Sequence, residues 1–292
     1  MTSGPGGTQP GAVAEFTVGA VARRVGVPVA TLRSWNRRYG IGPQRHRPGE
    51  HRSYTSTDLA MVTRMVELVR AGASPGSAAR AARAVAEPAP RRGDVRPVLA
   101  AAEGMDVARL LTLLSAHVAH HGVGDTWNLL CRPAFAEIVD RQRRGEGYIE
   151  VEHLLSWAST TSLHRAVPAV ADAAGEPRIV LACTAGEQHV LPLEVLRAAL
   201  AEGGTAALLL GAAVPPQALE RALSRRDRPG AVVLWSQSPG TASLESLRVA
   251  AAGAGSVFVA GPGWEHIGSE TGVSRLRSLE EALDALTAPR TR

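Results

Sequence analysis

The 292 residues carry 32 Arg, 27 acidic residues and no Lys, for a formal net charge of +5, with 45 % apolar. That length and balance suit a globular protein of two or three compact units and exclude low-complexity and collagen-like chains. No apolar run reaches the roughly 18 residues that span a bilayer, the opening MTSGPGGTQPGAVAE lacks the pattern of a signal peptide, and Cys131 and Cys183 sit in apolar surroundings as packed thiols rather than a disulfide scaffold, so a cytoplasmic location without a membrane partner is expected.

The charge is divided unevenly. Residues 1–96 hold 15 Arg against 6 acids, and residues 97–292 hold 17 Arg against 21 acids. So basic a front third points to a polyanion partner. In chain order, residues 1–15 read as a flexible Gly/Pro tail. FTVGAVARRVG, 16–26, predicts a short helix with Val18, Val21, Ala22 and Val25 on one face, closed by Gly26. PVATLRSWNRRY, 28–39, predicts a second helix after a three-residue turn, the spacing of a helix-turn-helix. GIGPQRHRPGEHRSYTS is too rich in Gly, Pro and Arg for a helix and suits a hairpin with Pro48-Gly49 at its tip. Residues 56–71 predict a helix capped by Ser56, with Leu59, Val62, Val66 and Val69 at helical spacing, and 74–86 complete the unit.

EPAPRRGDVRP, 87–97, is a linker by composition. Residues 98–166 predict a bundle of about four helices, with one apolar stripe of Val107, Leu110, Leu111, Leu114 and Val118 and another of Leu129, Phe135, Ile138 and Val139. From 177 to 289 the period changes. RIVLAC, TAALLLG, AVVLW and SVFVAG are short apolar runs separated by helical stretches, with GVSRL as a fifth run, as in a parallel sheet covered on both faces. The expected fold class is therefore multidomain, α and α/β: a helix-turn-helix unit over 16–86, a linker over 87–97, a bundle over 98–166 and an α/β domain over 177–289.

The front unit resembles the MerR family of winged-helix regulators, through TVGAVARRVGVPVATLRSWNRRYG, PQRHRPGEHRSYTSTDLAMV and LVRAGAS. In the family pattern Thr31, Leu32 and Arg33 open the recognition helix, Trp35 is its aromatic, and Gly49, Arg52 and Tyr54 end the wing. The resemblance implies double-stranded promoter DNA as partner, with Thr31, Arg33, Arg37, Arg38, Arg45, Arg47, Arg52 and Tyr54 as the contact set. The chemistry agrees: Arg is the best bidentate reader of guanine, and a helix fits the major groove. Arg45, Arg47 and Arg52, in the wing, suit phosphate. Trp35 and Tyr39 are expected in the core.

The stretch CTAGEQHVLPLEVL places Glu187 and His189 at a strand-to-helix turn, where open α/β sheets bind ligands. The back half resembles the cobalamin-binding modules of methionine synthase and of CarH-type photoreceptor regulators, a flavodoxin-like, Rossmann-type fold. That family carries Asp/Glu-x-His-x-x-Gly, then Ser-x-Leu, then Gly-Gly; here stand Glu187-Gln188-His189-Val190-Leu191-Pro192, Ser236-Gln237-Ser238 and Ala260-Gly261. The resemblance implies His189 as the lower cobalt ligand, Glu187 on its other ring nitrogen, and Ser236, Ser238 and Gly261 along the nucleotide tail. Pro192 and Ala260 depart from the pattern and would narrow that channel. Trp127 and Glu137 keep the spacing of the pair over the upper face of the corrin, although Ile138 replaces the expected His. The implied cofactor is cobalamin, in its adenosyl form. The implied function is a cobalamin sensor that gates homo-oligomerisation (dimer or tetramer) and operator binding, with RNA polymerase or another regulator as a further partner. The alternative is a regulator whose module has lost cobalamin and takes another small molecule or a partner protein. No enzyme is expected: the chain has no room for a substrate barrel and no nucleophile elbow, P-loop or zinc-protease motif. His117, His120 and His121 lack the companions of a metal set.

Overall fold

The computed structural model describes residues 16–43, 53–87, 89–167, 178–225, 229–265 and 273–288. Strand β1 (Phe16–Thr17) leads into helix α1 (Val18–Val25), followed by α2 (Val29–Tyr39), strand β2 (Ser53–Tyr54), α3 (Ser56–Arg70) and α4 (Pro75–Arg83), which runs into a 3-10 turn at Ala84–Ala86. Phe16–Thr17 is extended rather than helical because it pairs antiparallel with β2. That leaves Thr17 to cap α1 by accepting from the Ala20 N–H at 3.3 Å. Thr55, one residue before the expected Ser56, caps α3. Its hydroxyl accepts from the Asp58 N–H at 3.1 Å while Asp58 accepts from the Thr55 N–H at 2.9 Å, a reciprocal capping box. Val21, Leu32, Trp35, Ile41, Val62 and Met65 meet in one core, and Tyr39 packs at its edge. Each large side chain so buried stabilises by about 1.5–3 kcal/mol. The expected hairpin tip, Pro48-Gly49, lies outside the described residues.

The bundle consists of α5 (Arg96–Glu103), α6 (Val107–Asp125), a π-helical turn (Thr126–Cys131), α7 (Arg132–Arg143) and α8 (Ile149–Ala166). Leu110, Leu114, Leu130, Ile138 and Leu155 fill its centre. Two members of the expected stripes are misplaced: Val107 and Leu129 are each 40 % exposed. Val107 is the first residue of α6, and Leu129 sits in the π turn. A π turn shifts the faces of the helix, so counting by 3.6 residues puts Leu129 inward when it points out.

The last unit runs β3 (Ile179–Cys183), α9 (Leu191–Glu202), β4 (Ala207–Gly211), α10 (Pro216–Ser224), β5 (Ala231–Trp235), a 3-10 turn (Pro239–Thr241), α11 (Leu244–Gly253), β6 (Val257–Ala260), a 3-10 turn (Pro262–Trp264), β7 (Ser274–Leu276) and α12 (Leu279–Thr287). All five strands are parallel, in the order β4-β3-β5-β6-β7. Alternation along β3 sorts the two faces. Ile179, Leu181 and Cys183 pack with α9 and α12, whereas Val180 and Ala182 pack with α10 and α11. The α9 side also buries Val118, Val123 and Leu163 of the bundle against Leu191, Val195 and Ala198, so bundle and sheet share a core. Both cysteines are free and buried. No described helix is long and apolar enough to cross a membrane.

Candidate DNA-reading face and ligand crevice

Helix α2 sorts its residues by side. Leu32 and Trp35 are buried in the headpiece core. Arg33 and Arg37, one helical turn apart, and Arg38 are exposed, while Thr31 is half-buried at the start of the helix. Among the described residues no carboxylate pairs with Arg33, Arg37 or Arg38. By contrast, Arg70 on α3 is spent within the fold, donating to the backbone oxygens of Val25 and Gly26 at 3.0 and 3.3 Å. Tyr54 is corrected: it is 2 % exposed and belongs to the core, because β2 pairs with β1 and turns its ring inward, so it has no surface for DNA. Arg45, Arg47 and Arg52 lie outside the described residues.

In the sheet, strand order reverses between β3 and β5, whose neighbours β4 and β6 lie on opposite sides. The loops leaving the carboxyl ends of two such strands part and leave a crevice. Glu187 and His189 stand in the loop after β3; Ser236, Ser238 and Thr241 stand in the loop after β5. Glu187 is buried and fully engaged. One carboxylate oxygen accepts from the His189 N–H at 2.8 Å and from His189 Nδ1 at 2.6 Å. The other accepts from the Gln237 N–H and the Thr241 hydroxyl, both at 2.7 Å. Burial pushes the Glu187 pKa up, but these donors outweigh it and hold the carboxyl at about 2. An ionised Glu187 holds an N–H on His189 Nδ1 and turns Nε2 away from the carboxylate. The imidazole is 62 % exposed, and no described group meets Nε2.

A cavity of about 620 Å³ opens between the bundle, α9, the ends of β5 to β7, and α12, and neither Glu187 nor His189 lines it. Trp127 and Asn128 line it from the π turn, Pro192 from α9, and Trp235, Gly261 and Arg275 from the sheet. Pro192 and Ala260, expected to narrow the nucleotide channel, both lie in its wall. Gly261 has φ +100°, and a Cβ there would stand 2.2 Å from the Ser236 backbone oxygen; only glycine permits that approach. Ser236 is fully buried, its hydroxyl donating to the Ser238 oxygen at 2.9 Å and lying 2.7 Å from the Thr241 hydroxyl. Ser238 is exposed and does not line the cavity; its backbone oxygen accepts from the Ser236 hydroxyl. Glu137 is corrected. It does not reach the cavity, because Ile138 takes the inward position on α7 and turns its neighbour out to pair with Arg141 at 2.9 Å.

Residues 16–85 match the family described as MerR HTH family regulatory protein. The headpiece is a MerR-type helix-turn-helix unit. The chain is similar to the HTH-type transcriptional repressor CarH of Myxococcus xanthus, 29 % identical over 226 residues that span 71 % of this chain and 74 % of that one. It is equally similar to the repressor CarA of the same organism, 29 % identical over 223 residues, 73 % of this chain and 74 % of that one. Among solved structures, the Methanosarcina barkeri monomethylamine corrinoid protein shares 12 % identity over 65 % of this chain and 94 % of that one, at a TM-score of 0.49; a likeness that loose carries no argument.

The crevice also depends on residues that sequence reasoning passed over. Thr241 binds Glu187, and the Thr184 hydroxyl donates to the Thr241 backbone oxygen at 2.6 Å, fastening one loop to the other. Gly263 lies where a Cβ would meet Ser236 Oγ at 2.4 Å. Asn128 donates to Glu280 of α12 at 2.7 Å and ties the π turn across the cavity. Their spacing in the chain carries no signal, because each partner is brought in by the sheet. Glycines at both 261 and 263 were the one visible hint of a close approach.

Proposed function

We propose that this regulator binds promoter DNA through Thr31, Arg33, Arg37 and Arg38, with Arg45, Arg47 and Arg52 as wing contacts, and senses a cobalamin in the crevice. Units at 16–86, 98–166 and 177–289, joined by the linker 87–97, would then act as reader, cover and ligand module in a cytoplasmic homo-oligomer that represses, as CarH and CarA do. RNA polymerase or a second regulator is the further partner. The observation that carries the ligand reading is the Glu187–His189 pair, a carboxylate held ionised 2.6 Å from Nδ1 with the imidazole 62 % exposed in the loop after β3.

The residues present fit the group. A buried carboxylate on one imidazole nitrogen orients the ring, as it does for metal-binding histidines. The cavity falls within the size range of small-molecule and cofactor sites. Gly261 clears its wall, and Trp127 offers an aromatic face from the bundle. Bound there, cobalamin would supply a cobalt ion for which His189 Nε2 is the ligand. The protein's own part is to hold the ring, keep Glu187 ionised and enclose the ligand between bundle and sheet. A second reading, a different small molecule in the same crevice, draws on Glu137, which is turned away from the position the cobalamin pattern gives it.

The test is visible spectroscopy. Protein mixed with adenosylcobalamin in the dark and desalted should remain red, and His189→Ala should lose most of the colour while keeping its melting temperature. A colourless wild type would remove cobalamin and leave the second reading. Adenosylcobalamin retained equally by wild type and His189→Ala would remove His189 as ligand.

A further inference from the structure

The linker between headpiece and body is fastened to one stretch of the bundle. His120 Nε2 donates to the Glu87 oxygen and His121 Nε2 to the Pro90 oxygen, each at 2.9 Å. Arg92 pairs with Asp125 at 2.6 Å. The Gly93 N–H donates to His117 Nε2 at 3.3 Å. These partners all lie between residues 117 and 125, in the last turns of α6. The three histidines are therefore committed to the linker.

The same stretch is where α6 is irregular. Gly122 breaks the helix at φ 79°, ψ 174°, and the Val123 N–H donates to Glu202 of α9 at 3.1 Å. The π turn follows at once. Its first residue, Thr126, donates its hydroxyl proton to the Gly122 oxygen at 2.7 Å and so must accept from His117 Nδ1 at 2.8 Å. That fixes the His117 tautomer: Nδ1 carries the proton and Nε2 accepts from Gly93. Burial, reinforced by the neighbouring His121, lowers the His117 pKa to about 4, so the ring stays neutral and the arrangement holds at physiological pH. Gly93 touches the π turn a second way. It has φ +71°, and a Cβ there would lie 3.2 Å from the Leu129 backbone oxygen. Isolated π turns inside α-helices mark places where a helix is under strain and has a function.

We propose that His117 and Gly93 form a relay by which the π turn, whose Trp127 and Asn128 line the cavity, sets the position of the linker and hence of the DNA-binding headpiece. His117 is a positioning residue: it touches Thr126 at the start of the π turn and Gly93 in the linker, and neither ligand nor DNA. A shift of the π turn changes the Thr126–His117 bond and the Leu129–Gly93 contact together. The histidines at 120 and 121 hold the upstream end of the linker, so the shift is delivered to one point rather than absorbed along it. The ligand arm of this proposal rests on the crevice being the sensing site; the mechanical arm does not.

Hydrogen exchange on the full chain, read at peptides covering 84–96, separates the two arms. Without any ligand, His120→Ala should speed linker exchange about tenfold, because it frees the Glu87 carbonyl that anchors the upstream end of the linker, and His120→Gln, which keeps an N–H donor, should restore it. Glu280→Ala, on α12 and with no contact to the linker, should release Asn128, loosen the π turn and also raise linker exchange; Glu280→Gln, which retains an acceptor for Asn128, should not. Unchanged linker exchange in Glu280→Ala would overturn the relay whatever cobalamin does. With adenosylcobalamin in the dark, linker exchange should change in the wild type and stay flat in Gly93→Ala, which does not line the cavity and whose retained red colour is checked first. If the wild type retains adenosylcobalamin and its linker exchange does not move, the relay is wrong. If it retains none, the sensing reading has failed, and the Glu280 pair alone decides the relay.

Discussion

The headpiece and the sheet crevice use charge in opposite ways. On α2, Arg33, Arg37 and Arg38 stand exposed, without a carboxylate among the described residues. In the crevice Glu187 is buried and receives four donors. An exposed cation costs little to keep and is paired when a phosphate or guanine arrives, so its value appears only in the complex and fades with salt. A buried carboxylate is costly unless every lone pair is used, so its value appears in the unliganded fold as rigidity. One region is built to wait for a partner; the other is already set.

That contrast can be broken most visibly at the headpiece. Arg33→Ala, Arg37→Ala and Arg38→Ala combined should weaken operator binding by roughly a thousandfold and flatten its salt dependence. The melting temperature should stay within a few degrees, since none of the three is committed to a partner among the described residues. A titration at several salt concentrations beside a thermal melt checks both halves. The crevice should behave in reverse. Gly261→Ala forces a Cβ to within 2.2 Å of the Ser236 oxygen at φ +100° and should cost about 2–5 kcal/mol in denaturant unfolding, with DNA affinity lost only through instability.

Glu187→Gln is the smaller blow to the same region. It should cost about 1–3 kcal/mol, because an amide cannot accept from all four donors. The sign with pH is fixed. With a folded pKa of about 2 against an unfolded value near 4.5, the carboxylate stabilises fully above pH 4.5, and its contribution is lost as pH falls toward 2. The Gln variant should lack that part of the acid transition when unfolding is followed from pH 6 downward. Glu137→Ala should do least. It breaks one exposed pair with Arg141 at 2.9 Å, which solvent screens heavily, and should leave adenosylcobalamin retention and the melting temperature unchanged. A loss of retention would restore Glu137 to the site.

The sequence was legible where local rules govern. Apolar runs and βα alternation gave the five strands, and the turns containing Gly26 and His189 were found from their residues alone. The arginine face of α2 followed from helical spacing. It was illegible where a distant partner decides. Tyr54 reads as a wing residue until β1 pairs with β2 and buries it. Leu129 reads as core until the π turn rotates it outward. Glu137 has the right spacing from Trp127, but spacing cannot say which of Glu137 and Ile138 faces inward. Thr241 and Asn128 matter only through Glu187 and Glu280, which lie 54 and 152 residues away.

The account's central claim is that occupancy of the crevice alters how the headpiece meets DNA. The direct measurement is a titration of the full chain against its own promoter duplex at fixed salt in the dark, with and without saturating adenosylcobalamin. The account predicts affinities that differ by about tenfold or more, roughly 1.4 kcal/mol of coupling, with the difference abolished in His189→Ala. Equal affinities in the wild type, with the protein visibly red, would contradict it.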